Sequence, residues 1–303
     1  MVRSALLALS RQSWLRRWVE TSKLSKKATA RFVAGETLEE ELKVCRKLEA
    51  EKIQATLDHL GENVTSLEEA EAARGSYLEA LDRIHANGLG ATVSVKLTQL
   101  GLDLSESACL ENAERLVARA KEIGSRVEFD MESSAYTDRT LGIVGDLHRR
   151  VGPVRAVIQA YLRRSEGDIE RLSPEGIPVR LCKGAYSEPA DAAFPEKADV
   201  DANYVRLMRR LLDEGAYPAI ATHDERILDE ARRYVTERSI GSDRFEFQML
   251  YGIRRDLQRA LVRDGYRVRL YVPYGNAWYP YFMRRLAERP ANAIFLARNL
   301  FRK

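Results

Sequence analysis

The sequence predicts an α/β protein built as a (β/α)8, TIM-like barrel with a short helical extension in front of it. Three observations carry that expectation. From Leu38 onward, short runs rich in Val, Ile, Leu, Phe and Tyr recur eight times, the composition of strands buried on both faces. Between them lie longer stretches of helical period, and strand followed by helix, repeated, requires a parallel sheet. Eight such repeats in residues 49–303 fit a sheet closed on itself, because barrels of about 250 residues fold as one domain. An open doubly wound sheet is the structural alternative, but no G-x-G-x-x-G follows the first strand to support it.

Residues 1–48 do not fit the repeat. "SRQSWLRRWVETSKLSKKATARFVAG" and "ETLEEELKVCRKLEAE" read as two or three helices broken at Gly35, which divides the chain into a helical extension, 1–48, and a barrel, 49–303. The strand runs are, in order, Ile53 to Asp58, Ala91 to Leu97, Arg126 to Glu132, Val154 to Tyr161, Pro178 to Lys183, Tyr217 to His223, Phe245 to Tyr251 and Arg267 to Pro273. The helical stretches between them include "LEEAEAARGSYLEALDRIHANG", "ESACLENAERLVARAKEIG", "DANYVRLMRRLLDEG" and "DERILDEARRYVTERSIG", each closing on Gly as a helix C-terminus commonly does.

Composition bounds the function. With 45% hydrophobic and 31% charged residues the chain is an ordinary globular protein rather than a disordered one. Its 49 Lys and Arg against 45 Asp and Glu leave a net charge of +4, too small and too interspersed to predict nucleic-acid binding. The N-terminus is the exception. Arg11, Arg16, Arg17, Lys23, Lys26, Lys27 and Arg31 outnumber acids there and suit an anionic surface. Cys45, Cys109 and Cys182 lie outside any metal or C-x-x-C spacing and read as reduced thiols of a cytosolic protein. "MVRSALLALS" makes a poor signal peptide, and no run reaches the roughly 18 apolar residues of a membrane span. Any membrane contact is therefore expected to be peripheral, on the inner face of the cytoplasmic membrane.

The carboxyl ends of the strands carry the main signal, since that rim holds the active site in barrel enzymes. In order they present Asp58 and His59, Lys96, Asp130 and Glu132, Gln159 and Tyr161, Arg180 and Lys183, Thr222 and His223, Gln248, and Tyr271. A barrel built only for stability fills its layers with apolar side chains. Buried Lys, Asp, Gln and Arg on successive strands cost several kcal/mol unless paired or bound to a ligand. His59, His85, His148 and His223 show no metal spacing, so no metal is expected, and no G-x-S-x-G elbow appears. "RLCKGAY" joins Arg180 and Lys183 to Gly184, where a backbone can approach a pyrophosphate. After the last strand, Tyr281, Arg284, Arg285 and Glu288 recur at helical spacing and share one face. Arginines alone would read as solvated surface. Two guanidiniums leaning over a barrel mouth that holds Asp130 and Lys96 suit bidentate capture of one carboxylate.

These residues resemble those of the monofunctional bacterial proline dehydrogenases, flavoenzymes that oxidise L-proline to 1-pyrroline-5-carboxylate. The resemblance spans nearly the whole barrel through "LDHLGENV", "VSVKLTQLGLD", "FDMESSAYTD", "VIQAYLRRS", "RLCKGAY", "ATHDE", "FEFQMLYG" and "YVPYG" with "YFMRRLAERPAN". It implies that Arg284 and Arg285 clamp the proline carboxylate, that Lys96 and Asp130 support the clamp, and that Glu288 braces it. Tyr271, Tyr281 and Leu250 would pack on the substrate ring. For FAD, it implies Arg180 near the reactive flavin nitrogen, Gln159 at the flavin ring, Lys183, Gly184, Ala185 and Tyr186 along the tail, and Thr222 and His223 at the sixth strand.

Tyr251, where larger bifunctional members often carry His, and Ser187, where an aromatic often stands, depart from the wider family. The chain is also too short for a fused aldehyde dehydrogenase module, so the resemblance implies a separate pyrroline-5-carboxylate dehydrogenase downstream. It implies a quinone as electron acceptor as well. The basic N-terminal helices could meet the membrane, the barrel or a second copy of the chain. A methylenetetrahydrofolate reductase-like flavin barrel is the alternative enzyme, but it gives an arginine pair on the last helix no purpose. A catalytically dead barrel is opposed by the intact polar rim.

Overall fold

Strand follows helix eight times because each apolar run here is flanked by segments that cap and bury themselves as helices. The structure, a computed structural model, describes residues 30–61 and 64–288, with side chains through Met283 in the last helix. Its strands are β1 (Gln54–His59), β2 (Thr92–Val95), β3 (Val127–Phe129), β4 (Val154–Gln159), β5 (Val179–Cys182), β6 (Ala219–Ala221), β7 (Glu246–Leu250) and β8 (Val268–Tyr274). Every neighbouring pair is parallel, and β1 closes the barrel on β8 from Gln54 opposite Arg269 to His59 opposite Tyr274. Each strand overlaps its predicted run. The strands are shortest where polar rim residues turn away from the ladder: Lys96 leads into a 3-10 turn at Leu97–Leu100, and Asp130 follows the end of β3.

The helices are α1 (Leu38–Ala50), α2 (Leu67–Ala86), α3 (Glu106–Glu122), α4 (Thr137–Arg150), α5 (Ser165–Leu172), α6 (Lys197–Glu214), α7 (Glu225–Glu237), α8 (Arg255–Arg263) and α9 (Trp278–Glu288). Their starts are fixed chemically. Thr37 and Glu40 form a reciprocal capping box on α1, Ser66 and Ser105 accept from Glu69 and Ala108 at the starts of α2 and α3, and Asp224 caps α7. Each buries one stripe against the sheet. In α3 the stripe is Cys109, Ala113, Leu116, Val117 and Ala120, all fully buried, and each buried leucine of this kind contributes about 2 kcal/mol.

Helix α1 packs Leu42, Cys45 and Leu48 against β1 and β8. Residues 1–29, which hold the rest of the expected helical extension and most of its basic residues, lie outside the described residues. Among the described residues no helix is long and apolar enough to cross a membrane. Cys45, Cys109 and Cys182 are free thiols.

Candidate active site

The parallel register sends the carboxyl end of every strand to one mouth, and a cavity of about 660 Å³ opens there. The structure gathers in its wall Lys96, Asp130, Gln159, Arg180, Lys183, Gly184, Ala185, Tyr186, Thr222, His223, Leu250, Tyr271 and Tyr281. Arg284, Arg285 and Glu288 belong to α9, in the turns after Tyr281, but their side chains lie outside the described residues. Among the residues not singled out from the motifs, Cys182, Asp224, Glu225, Met249 and Arg254 also line the cavity.

Asp130 is the hub. Arg180 donates from Nη1 to its Oδ1 at 2.7 Å, Tyr271 from its hydroxyl to Oδ2 at 2.6 Å, and Ser94 from Oγ to Oδ1 at 2.8 Å. Lys96 Nζ reaches Oδ2 at 3.4 Å and Asp58 Oδ1 at 3.4 Å. Burial alone would raise the Asp130 carboxyl, but Lys96 and Arg180, with the Tyr271 and Ser94 bonds, outweigh it and hold it below the usual range. The Arg180 guanidinium also lies over the Tyr271 ring, 5.3 Å from its centroid.

Beneath this hub the charges continue. Arg180 donates from Nη2 to Glu128, one pleat deeper on β3. Arg155 donates from Nη1 to Glu128 at 3.4 Å and to Glu246 at 2.5 Å, and Arg269 bonds Glu246 through Nε at 3.1 Å. Asp58, Lys96, Asp130, Arg180, Glu128, Arg155, Glu246 and Arg269 thus form one chain of alternating sign from the mouth into the barrel. Glu128, Arg155 and Glu246 are fully buried. Burial would raise Glu128 and Glu246, but the arginines prevail: Glu128 falls well below its ordinary value and Glu246 falls to about 2.

The other side of the cavity is built from the β5, β6 and β7 ends. Lys183 pairs with Asp201 and with Asp224 at 2.8 Å. Gly184 has φ +112 and backs directly onto the Tyr161 ring, so any Cβ there would collide with it. The strap that follows is tied down by Glu188, which accepts from Ser134 N at 2.8 Å, from Ser134 Oγ and from Tyr161 at 3.4 Å. His223 accepts from Leu250 N through Nε2 at 2.8 Å, which fixes that nitrogen as unprotonated. Gln159 donates to Glu132 O at 2.9 Å, and Thr222 accepts from Asp224 N at 3.1 Å. Burial pushes the Cys182 thiol up to about 12, so it stands in the wall as an inert group.

The motif reading missed Ser94, Glu128, Arg155, Glu246 and Arg269. Their signal was the strand period of two: Ser94 precedes Lys96, Glu128 precedes Asp130, Glu246 precedes Gln248 and Arg269 precedes Tyr271 by two residues each, and Arg155 precedes Gln159 by four.

The closed barrel and its polar cavity at the carboxyl rim define a (β/α)8-barrel enzyme. Residues 41–298 match the proline dehydrogenase family. The chain is 44% identical to a proline dehydrogenase of Deinococcus radiodurans over 90% of this chain and 89% of that one. It is 39% identical to proline dehydrogenase 1 of Bacillus subtilis over the full length of both. Among solved structures, the proline utilization A protein of Bdellovibrio bacteriovorus, inactivated by N-propargylglycine, superposes with a TM-score of 0.81 at 29% identity. That match covers 87% of this chain and a third (33%) of the longer protein. The chain belongs to the proline dehydrogenase family and is an oxidoreductase.

Proposed function

We propose that this chain oxidises L-proline to 1-pyrroline-5-carboxylate with FAD as its cofactor, the first step of proline catabolism. The observation that carries the reading is the Lys96–Asp130–Arg180 chain standing in the wall of the rim cavity together with Tyr271, Tyr281 and Leu250. The cavity sets fixed charge beside the faces of Tyr271 and Tyr281 and the side chain of Leu250, which suits a small ring bearing a carboxylate.

The residues present fit FAD. Arg180 stands in the cavity wall with both terminal nitrogens engaged by Asp130 and Glu128, a fixed cation where the reduced flavin would gain negative charge. Lys183 and Gly184 to Tyr186 continue the wall where a dinucleotide tail would run, and Gln159, Thr222 and His223 complete it. Bound there, FAD supplies a hydride acceptor for C5 of proline.

This chain's residues do the rest. Arg284 and Arg285 hold the substrate carboxylate, Glu288 braces them, and Tyr271, Tyr281 and Leu250 press on the ring so that C5 is aligned. Asp130, already an anion bonded to four donors, orders Lys96, Arg180 and Tyr271 and is not the proton acceptor. The proline nitrogen must be neutral for hydride to leave, and its remaining proton is lost as the iminium becomes the imine. Electrons then pass to a quinone, and the product passes to a separate pyrroline-5-carboxylate dehydrogenase. Work in the cytoplasm with peripheral contact at the membrane follows from that acceptor, and the Lys- and Arg-rich residues before position 32 supply the charge for it.

The purified protein tests this by colour. It should carry a flavin spectrum that proline bleaches when oxygen is excluded, and Arg180→Met should slow the bleaching far more than it weakens proline binding. A colourless protein that cannot be reconstituted with FAD overturns the reading.

A further inference from the structure

We infer that Glu128 is a positioning residue for Arg180 and, through it, sets the electrostatic potential at the cavity wall; this rests on the FAD-dependent reading above. Arg180 is gripped from two directions, by Asp130 at the level of the cavity and by Glu128 one layer below. Asp130 divides its charge between Arg180 and Lys96 and accepts two further hydrogen bonds. Glu128 is therefore the nearer counter-charge that belongs to Arg180 from the barrel side.

Glu128 is itself held in place. Thr92 donates to its Oε1 at 2.9 Å, Arg155 reaches the same oxygen at 3.4 Å, and Gln248 reaches Oε2 at 3.4 Å. A carboxylate so restrained fixes both where the guanidinium sits and how much of its positive charge is felt beside it.

Stability does not explain this arrangement. A buried ion network is seldom more stabilising than apolar side chains of equal volume, and an apolar layer is what a barrel interior ordinarily uses. The charges instead end at the cavity, on Arg180, the guanidinium of this network that stands in the cavity wall, whereas Arg155 and Arg269 lie beneath it. Dielectric screening inside the barrel is weak, so a unit charge one residue behind Arg180 acts on anything bound in front of it.

The sign follows. Reduction places negative charge on the bound cofactor, and Glu128 opposes it by partly cancelling Arg180. Glu128→Gln keeps the shape and removes that opposition. Glu246→Gln removes an identical buried charge one guanidinium further along, where it touches Arg155 and Arg269 but not Arg180.

The test is a redox titration of FAD bound to the wild-type holoenzyme and to each variant. In Glu128→Gln, reduced FAD should gain about tenfold in binding relative to oxidised FAD, an upward shift of about 30 mV for a two-electron couple. Glu246→Gln should move it by less than about threefold. Should the amide at position 128 fail to fold, Glu128→Asp, which withdraws the charge by one methylene, should shift the potential upward by a smaller amount. An unchanged potential in whichever variant at position 128 folds, or an equal shift in Glu246→Gln, overturns the inference. A wild-type chain that binds no FAD at all instead sinks the cofactor reading, and this inference with it.

Discussion

Glu41→Gln should stabilise the chain, by an amount that grows with pH. Glu41 lies on the inner face of α1, fully buried, and among the described residues neither carboxyl oxygen has a hydrogen-bond partner. Burial first, and the charge of Asp58 second, push its carboxyl well above the ordinary 4.5. Around it stand Cys45, Tyr251 and Tyr274, whose own ionisations burial also raises, so the setting disfavours an anion there. The folded chain therefore keeps a proton that the unfolded chain releases above pH 4.5. A group raised on folding makes stability fall as pH rises, by about 1.4 kcal/mol per pH unit, until the folded carboxyl itself ionises. The glutamine has nearly the same shape and the same unmet polar cost but no proton to lose. Urea unfolding followed by circular dichroism, from about pH 5 to about pH 8, should show the two chains nearly equal at the acid end and diverging as the pH rises. A stability difference that stays flat with pH, or a less stable glutamine variant at neutral pH, would refute the reasoning.

Asp130→Asn leaves Lys96 and Arg180 each short of a carboxylate. It should cost about 3 to 5 kcal/mol in urea unfolding and strongly impair proline oxidation, and wild-type behaviour in both would remove Asp130 from its central place. Acid should attack the barrel through its interior. Asp130, Glu128 and Glu246 are depressed on folding, Glu246 to about 2 from 4.5, so the stability they contribute is complete above about pH 4.5 and is lost as the pH falls through the folded values. Glu246→Gln should show a shallower loss in acid unfolding, and an unaltered acid profile counts against the network. Arg284→Met or Arg285→Met should weaken proline recognition by about 2 to 5 kcal/mol, read as a raised KM with FAD retained, and normal kinetics in both variants would end the carboxylate assignment.

The fold was legible because a barrel repeats: eight apolar runs with capped helices between them admit few topologies, and the observed strands fall on those runs. The upper layer of the site was legible because strand ends are where charge has a reason to be. The deeper layer was not. Its partners lie far apart in the chain, Arg180 from Glu128 by 52 residues and Arg155 from Glu246 by 91, and no local spacing announces such a pairing.

One physical argument reaches that layer even so. A barrel strand is covered by helices on its outer face and filled by side chains within, so neither face offers water to a charge carried by the strand. Within β3, β4, β7 and β8 stand Glu128, Arg155, Glu246 and Arg269. Each alone is an unaffordable burial, and the four together carry two charges of each sign. Four buried strand charges that sum to zero have an inexpensive arrangement only if they meet, and the barrel interior is where four strands can bring them together. Arg180, paired with Glu128 of that neutral set, then joins it to Asp130 and Lys96, which is why the charged floor and the cavity above it are one connected network.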